Sequence, residues 1–416
     1  MDLFKTLKNA WRVPELRKKI LFTLWMFLFI RIGVAITAPG VNRDAIVAST
    51  STASDFMNMI TGGAHKELAI FALGVGPYIT ASIIMQLLQI AITKLEELAK
   101  EGEQGRKKIN QYTRYVTLGL AILQSWATTF MASRSGVLVD NSIPTFLLVM
   151  LSFIAGSMLV MWIGEQITAK GVGNGISLYI FISIIYSLPT NLKGLYDTNG
   201  YVIPTIVLIV FVLLIGFAVF MAQGERRVAV QYAKRTAGRK VYGGQSQHIP
   251  IKVNLAGVMP IIFAMSIMNF PQIVTNLVGA QATGIWATIL GWLNWTRPVG
   301  TVIYIVLIFA FAFFYSTIAF NPMEIASNMK KGGGFIPGIR PGKPTSDYLT
   351  DVANRITLLG AIFLAILAIV PLLFQYIFNI QVAFSGTSLL IVVGVVLETL
   401  KQIESQMLMR HYKGFL

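Results

Sequence analysis

The sequence predicts an all-α polytopic membrane protein, with ten transmembrane helices in two inverted five-helix halves. Three observations lead to this fold class: long apolar stretches, an excess of basic residues in alternate loops, and an odd number of stretches in each half. Of the 416 residues, 55% are hydrophobic and 12% are charged, whereas soluble domains carry about 25% charged residues. This composition is typical of a chain that is mostly embedded in lipid.

Ten apolar stretches account for the predicted helices, because about 20 apolar residues cross the ~30 Å of hydrocarbon in a bilayer. Only one charged residue, Arg31, lies inside any of them. We expect Arg31 either to pair with a loop carboxylate or to extend its guanidinium towards the membrane surface. The stretches are residues 20–38, 68–92, 115–132, 145–164, 175–192, 201–223, 253–274, 301–320, 356–377 and 383–397.

Basic residues are distributed unequally between alternate loops. When the stretches are threaded through a membrane, 28 of the 34 Lys and Arg residues fall on one side and five on the other. Basic loops stay on the cytoplasmic side, so both termini are predicted to be cytoplasmic and the protein is expected in the inner membrane. The basic loops 224–252 and 321–355 leave a second interpretation open, a docking face for acidic partners or ribosomal RNA.

A loop rich in helix breakers divides the ten stretches five and five. It covers residues 193–200, between Pro189 and Pro204. Because five is an odd number, a second half that resembled the first would cross the membrane in the opposite orientation, as in many membrane conduits. The predicted domains are therefore residues 1–192 and residues 193–416.

Several stretches are interrupted in a way that favours an interior pathway. Gly74, Gly76 and Pro77 break the second stretch, and the fifth begins directly after the glycine-rich residues 171–175. Backbone without helical hydrogen bonds is tolerated at membrane depth where protein or a water-filled cavity covers it, although ordinary kinking explains any single break equally well. Residues 52–66 are either a surface helix or a re-entrant segment that fills a cavity.

No combination of residues that would support catalysis or metal binding is found in the sequence. The chain has no cysteine, and its three histidines fall in loops or the tail without metal-ligand spacing. No pair of carboxylates lies within the stretches, so proton-coupled transport lacks its usual residues. We expect no cofactor, no metal and no enzymatic activity, and a conduit whose cargo has no fixed chemistry.

Seven long segments, which follow one another along the whole chain, form a recognisable series. The segments are FALGVGPYITASII (71–84), EGEQGRKKINQYTRY (101–115), GEQITAKGVGNGIS (164–177), ERRVAVQYAKR (225–235), KVNLAGVMPIIFA (252–264), FNPMEIASNMKKGGGFIPGIRPG (320–342) and GTSLLIVV (386–393). In this order they resemble the SecY family, the core of the bacterial protein-translocation channel. Seven long matches in order are far more specific than any single short motif.

The resemblance implies an hourglass pore with a lateral gate between the second and seventh spans. Such a channel passes unfolded secretory polypeptides across the bacterial cytoplasmic membrane and releases membrane segments laterally into it. A ring of branched apolar side chains offers no hydrogen bonds, so it tolerates any passing sequence, and it blocks ions by dewetting when narrow. The positions that match this pore ring are Val75, Ile79, Ile176, Ile180, Ile262 and Ile391.

The resemblance also implies a plug, gate residues, a docking surface and partners. The plug corresponds to about residues 53–63, and the residues expected in it are Asp55, Phe56, Met57, Asn58, Met59, Ile60, Thr61 and Gly62. The lateral-gate positions are Thr80, Ile83, Gln86 and Phe270, and the docking positions are Arg227, Lys234 and Arg340. The implied partners are the membrane subunits SecE and SecG, the motor ATPase SecA, the ribosome, signal sequences, nascent polypeptides and membrane lipid.

Two other classes of function remain as alternatives to a protein-conducting channel. An inverted-repeat secondary transporter for a small solute would be favoured by an essential carboxylate in the membrane, and Glu165 lies just beyond the end of a stretch. A lipid or redox enzyme would need the histidines, cysteines or paired acids that the stretches lack.

Overall fold

A computed structural model describes most of the chain, and by their contacts its residues form two compact units. The first unit consists of Met1–Pro204, Asn269–Leu290 and Ile391–Leu416, and the second of Thr205–Met268 and Gly291–Leu390. The division into inverted halves at residues 192 and 193 stays a prediction. The described residues are 11–43, 45, 61–65, 67–232, 235–237, 240–242, 246–255, 257–278, 288, 291–293, 297–378 and 386–413.

The described residues are mainly helical, and each of the ten predicted stretches overlaps a helix. Those that begin in the first unit are α1 (Pro14–Ala35), α2 (Gly76–Ala91), α3 (Thr93–Lys100), α4 (Glu103–Arg134), α5 (Ile143–Lys170), α6 (Gly175–Asn199) and α7 (Val202–Gln223). The remaining helices are α8 (Met259–Val278), α9 (Pro298–Ala319), α10 (Pro322–Lys331), α11 (Lys343–Phe378) and α12 (Gly386–Lys413).

Proline begins several of these helices. Eight have a proline among their first three residues, where its missing N–H would have no partner within the helix; they are α1, α2, α5, α7, α8, α9, α10 and α11. In α2 this residue is Pro77, so the helix begins at Gly76 rather than at the start of the predicted stretch, residue 68. The break predicted from Gly74, Gly76 and Pro77 is therefore a helix start.

Length and hydropathy identify the helices that are able to cross a membrane. Among the described residues, six pass both criteria: α4, α5, α6, α7, α9 and α11. The pair α2 and α3, bent by 101° at Ile92, forms a seventh candidate. Helices α1 and α12 are not in this group because of their charged residues, which are Lys18, Lys19 and Arg31 in α1 and Glu398, Lys401 and Glu404 in α12.

The end of α12 packs against the beginning of α1 within the first unit. Leu16, Val172 and Ile403 form a small buried cluster. The Lys19 ammonium donates a hydrogen bond to Gln406 Oε1 at 3.1 Å. These contacts join residues almost 390 positions apart in the sequence and fix the direction of α12.

The second unit contains a small antiparallel sheet, which the sequence analysis did not predict. Its strand order is β4 (Ser246–Lys252), β1 (Glu225–Tyr232) and β5 (Gly334–Phe335). Two short strands, β2 (Arg235–Ala237) and β3 (Lys240–Tyr242), pair separately. Because side chains alternate across a strand, Val228 and Val230 are buried while Arg227 is exposed.

One face of this sheet packs on α10 and on the first turns of α11. The buried cluster there comprises Val228, Val230, Ile251, Phe320, Met329, Ile336, Leu349, Ala353 and Ile356. The basic loops 224–252 and 321–355 are therefore a packed substructure with its own apolar core, and their exposed charges lie on its surface.

Candidate functional site

The backbone just before α2 is irregular, and its polar groups are paired within the protein. The Ile70 amide donates to the Ile36 carbonyl at 2.9 Å. The Ser157 hydroxyl, from α5, donates to the Gly74 carbonyl at 3.1 Å in a buried position. Pairing of this kind allows residues 67–75 to lie at membrane depth without helical hydrogen bonds.

Helix α5 lies directly against this irregular segment. A Cβ atom added to Gly156 would stand 2.0 Å from the Ile70 carbonyl oxygen and 2.8 Å from its carbon. Both are backbone atoms, so rotation of a side chain would not relieve the clash. A glycine is therefore required at this point of α5.

Two predicted ring residues lie at the start of α2. Val75 is fully buried and immediately precedes the helix. The Ile79 amide donates to the Val75 carbonyl at 2.9 Å, so the two side chains lie one turn apart on the same face. Val75 and Ile79 thus lie together on one face at the start of α2, and their assignment to a pore ring stays a prediction.

Two more ring residues lie at the start of α6. The Asn174 side chain caps this helix by accepting hydrogen bonds from the Ile176 amide at 3.1 Å and the Ser177 amide at 3.3 Å. Ile176 is half-buried beside Gly164 of α5, and Ile180, one turn later, is buried. The cap fixes the position where α6 begins, and with it the positions of both isoleucines.

The last two ring positions are also close to helix starts. Ile262 is in the first turn of α8 and Ile391 is in the second turn of α12, and both are buried. All six predicted ring residues therefore lie at a helix start or within two turns of one.

The predicted gate positions lie mainly on α2. The Thr80 hydroxyl donates to the Gly76 carbonyl at 3.1 Å. Ile83 and Gln86 are half-buried on the same helix. Phe270 belongs to α8, and its side chain lies outside the described part of the structure.

The plug prediction falls mostly outside the described residues, which include only Thr61 and Gly62 of the eight named positions. Both are buried, and Gly62 has a left-handed backbone with φ of +63°. The Thr61 hydroxyl accepts a hydrogen bond from the His65 amide at 3.2 Å. Burial lowers the pKa of His65, although its contact with the Ala72 carbonyl acts in the opposite direction.

Arg31 makes a contact that the sequence analysis did not anticipate. Its guanidinium carbon lies 3.1 Å from the centre of the Tyr186 ring, so the charge interacts with the face of an aromatic side chain. Tyr186 is on α6, 155 residues further along the chain. The local sequence around either residue carries no signal for this pairing.

The docking predictions fall on the surface of the second unit. Arg227 is exposed on β1 and donates a hydrogen bond to Glu225 at 2.7 Å. Arg340 is exposed at the end of a turn that Ile336 anchors in the apolar cluster, and its carbonyl accepts a hydrogen bond from the Thr345 hydroxyl at 2.9 Å. Lys234 lies outside the described residues.

One ion pair joins α4 to α5. The Arg114 guanidinium donates two hydrogen bonds to the Glu165 carboxylate, each 2.8 Å long. Glu165 is the carboxylate that would suit a solute transporter, and this pairing gives it a structural partner. Within the described ranges, no group of three or more possible metal ligands is found.

Comparisons with known proteins identify the family. A sequence model of the SecY family matches residues 69–400. The chain is also 44% identical, over 431 aligned positions and the full length of both proteins, to the protein translocase subunit SecY of Halalkalibacterium halodurans. The chain belongs to the SecY family. The family prediction made from the seven segments is therefore confirmed.

Solved SecY-type structures show the same fold. A SecY channel studied for how its plug domain maintains a membrane seal has a TM-score of 0.65 at 16% identity, covering 94% of this chain and 92% of that one. Canine Sec61, in a ribosome–channel complex of the endoplasmic reticulum, has a TM-score of 0.62 at 15% identity with the same coverage. The predicted helical, multi-pass membrane fold class is thus confirmed.

Proposed function

We propose that this protein passes unfolded secretory polypeptides across the bacterial cytoplasmic membrane and releases apolar segments sideways into the lipid. As a SecY-family member, the chain is a protein-conducting channel subunit, and this assignment favours protein conduction over the small-solute transporter. The channel role also supports the proposal that the chain has no catalytic activity, with the energy for transport supplied by a partner ATPase.

The observation that carries this proposal is the position of the six branched apolar residues at helix starts. An aliphatic ring makes no hydrogen bonds to a passing chain, so it has no preference for particular side chains. It excludes ions because a narrow apolar constriction loses its water. We assign the pore ring to Val75, Ile79, Ile176, Ile180, Ile262 and Ile391.

The other predicted parts of the channel are assigned in the same way. We assign the plug to about residues 53–63 and the lateral gate to α2 and α8, through Thr80, Ile83, Gln86 and Phe270. The solved relative in which a plug domain maintains a membrane seal supports the first assignment.

We propose that the exposed basic residues of the second unit bind the motor SecA and the ribosome, and that SecE and SecG are the membrane partners. Arg227 and Arg340 project from a substructure with its own apolar core, where no spanning helix needs their charge. Arginine forms two parallel hydrogen bonds with carboxylate or phosphate. The canine relative in a ribosome–channel complex supports the ribosome as a partner.

Charge reversal at position 340 is expected to block motor-driven export. A charged hydrogen bond contributes about 1.5–3 kcal/mol, so Arg340→Glu should weaken docking at least roughly tenfold, while ribosome-coupled insertion of membrane proteins continues. ATP-driven export into inverted vesicles measures the effect. Lys343→Glu makes the same charge change three residues away, at an exposed helix start that favours acidic side chains. Equal loss of export in both variants would contradict a specific role for Arg340.

Orientation in the membrane is tested with single cysteines, because the chain contains none of its own. Both termini are proposed to be cytoplasmic. An impermeant maleimide added to intact spheroplasts should therefore label Val139→Cys, whose parent side chain is 62% exposed, but not Lys343→Cys. Both cysteines should react once the membrane is opened. Labelling of position 343 but not 139 in intact spheroplasts would reverse the proposed topology.

A further inference from the structure

The charged residue of the first apolar stretch contacts α6, and neither residue of this contact has a role in the ring, plug, gate or docking surface. The Arg31 guanidinium carbon stands 3.1 Å from the centre of the Tyr186 ring. Arg31 is half-buried, whereas the Tyr186 side chain is 51% exposed. Attraction between a cation and an aromatic face holds at partly exposed sites as well as at buried ones, and a charge within the membrane is costly unless it has a favourable partner. The contact is therefore one that the folded protein has reason to keep.

The same guanidinium contacts the turn at residue 62. A Cβ atom on Gly62 would lie 3.2 Å from Arg31 Nη1 and 3.2 Å from Ser183 Cα. The φ of +63° at Gly62 is in the left-handed region, which glycine adopts without strain. A side chain at position 62 would therefore meet both the Arg31 guanidinium and the backbone of α6, which leaves little room for one.

One face of α6 contacts both ends of the segment 61–74. Tyr179, Ser183 and Tyr186 lie on that face, since residues four and three apart in a helix share a side. A Cβ atom on Gly74 would lie 2.9 Å from the Tyr179 hydroxyl and 3.0 Å from Thr61 Cγ2. The segment leading into α2 is therefore packed against α6 at residue 74 as well as at residue 62.

We propose that Arg31 and Tyr186 brace α6 against the segment that leads into α2, and so set the resting width of the constriction. This inference rests on the proposed pore ring, because α2 begins at Val75 and Ile79 and α6 begins at Ile176 and Ile180. These four ring residues belong to the same compact unit as the brace. Arg31 and Tyr186 are positioning residues, which act through the helices that carry the ring.

The test measures ion conductance of the purified channel complex in planar bilayers without a translocating chain. Tyr186→Leu removes the aromatic face and Arg31→Met removes the charge, and each is expected to raise the resting conductance several-fold. Tyr186→Phe keeps the face and should conduct as the parent does. Arg31→Lys keeps the charge, and should leak less than Arg31→Met. Tyr115→Leu removes a 71% exposed tyrosine from α4 and serves as the control.

The double variant Arg31→Met with Tyr186→Leu separates a shared contact from two independent effects. Its conductance should not exceed that of the leakier single variant. If the double variant raises conductance by the product of the factors measured for the two single variants, the residues act independently and the brace is overturned. Parent-like conductance in both single variants would also overturn it. So would a Tyr186→Phe variant that conducts as much as Tyr186→Leu. A ring variant measured in parallel (Ile79→Ala, Ile180→Ala and Ile391→Ala) distinguishes failure of the brace from failure of the proposed pore ring. If it leaks and the brace variants do not, the brace alone fails; if it does not leak, the proposed ring fails.

Discussion

A channel in which Ile79, Ile180 and Ile391 are all changed to glycine is expected to conduct ions at rest, whereas the parent does not. Each change removes a branched side chain from the proposed ring, and a wider, more easily wetted constriction loses its dewetting barrier. Cargo with weak signal sequences should also be exported more readily, because less work is needed to open the pore. Planar-bilayer conductance and export assays measure the two effects.

Stability has to be separated from sealing in this experiment. Ile180 and Ile391 are only 6% and 3% exposed, and each large-to-small change in a packed site costs a few kcal/mol. Glycine destabilises a helix by about 1 kcal/mol per position relative to alanine. The variant with alanine at all three positions therefore tests sealing with a smaller loss of stability. Ile122→Gly, Ile206→Gly and Ile362→Gly form the control, because these isoleucines are about 40% exposed on α4, α7 and α11. Folded ring variants that conduct no more than this control would show that the residues only pack.

The change Gly156→Ala is expected to destabilise the protein strongly for so small a substitution. The new methyl group would stand 2.0 Å from the Ile70 carbonyl oxygen, so α5 or the segment 67–75 has to shift. Overpacking of this kind costs about 1–3 kcal/mol and sometimes more. The shift should also disturb the hydrogen bond from Ser157 to Gly74 and displace Val75, so the resting channel should leak. Thermal unfolding in detergent measures the first effect and bilayer conductance the second.

Gly119 provides a matched control on α4. A Cβ atom there would have no neighbour within 4 Å, and alanine stabilises a helix interior by about 0.5–1 kcal/mol relative to glycine. Gly119→Ala should therefore melt at or slightly above the temperature of the parent. Equal melting temperatures for the two variants would mean that the close approach at Gly156 is absent in solution.

The spanning helices could be predicted because their signals are local in the sequence. An apolar stretch of membrane length, a proline at a helix start and an excess of basic residues in alternate loops each act within a few residues. The start of α2 shows this well, since Gly74, Gly76 and Pro77 marked the break that the structure places at Gly76. Matches to the SecY family supplied the candidate ring, gate and plug, which composition and spacing alone did not identify.

Features that depend on distant contacts could not be predicted in this way. The alternation of Val228, Val230 and Tyr232 was a signal for a strand, but it is short and lies within a run of charges. The approach of Gly156 to Ile70 and the contact of Arg31 with Tyr186 join residues that are 86 and 155 positions apart. Only tertiary packing decides which of many possible partners such residues meet.

Helix α11 is longer than is needed to cross a membrane. Its 36 residues extend about 54 Å at 1.5 Å per residue, whereas the hydrocarbon layer is about 30 Å thick. Its first turns, close to Arg340 in the sequence, pack in the apolar core under the small sheet, and Leu364 and Leu367 lie buried in its apolar part. A displacement of its first turns is therefore expected to be carried along one helix as far as Pro371, where the proline removes a backbone hydrogen bond. We therefore expect the first turns and the buried leucines of α11 to be displaced together.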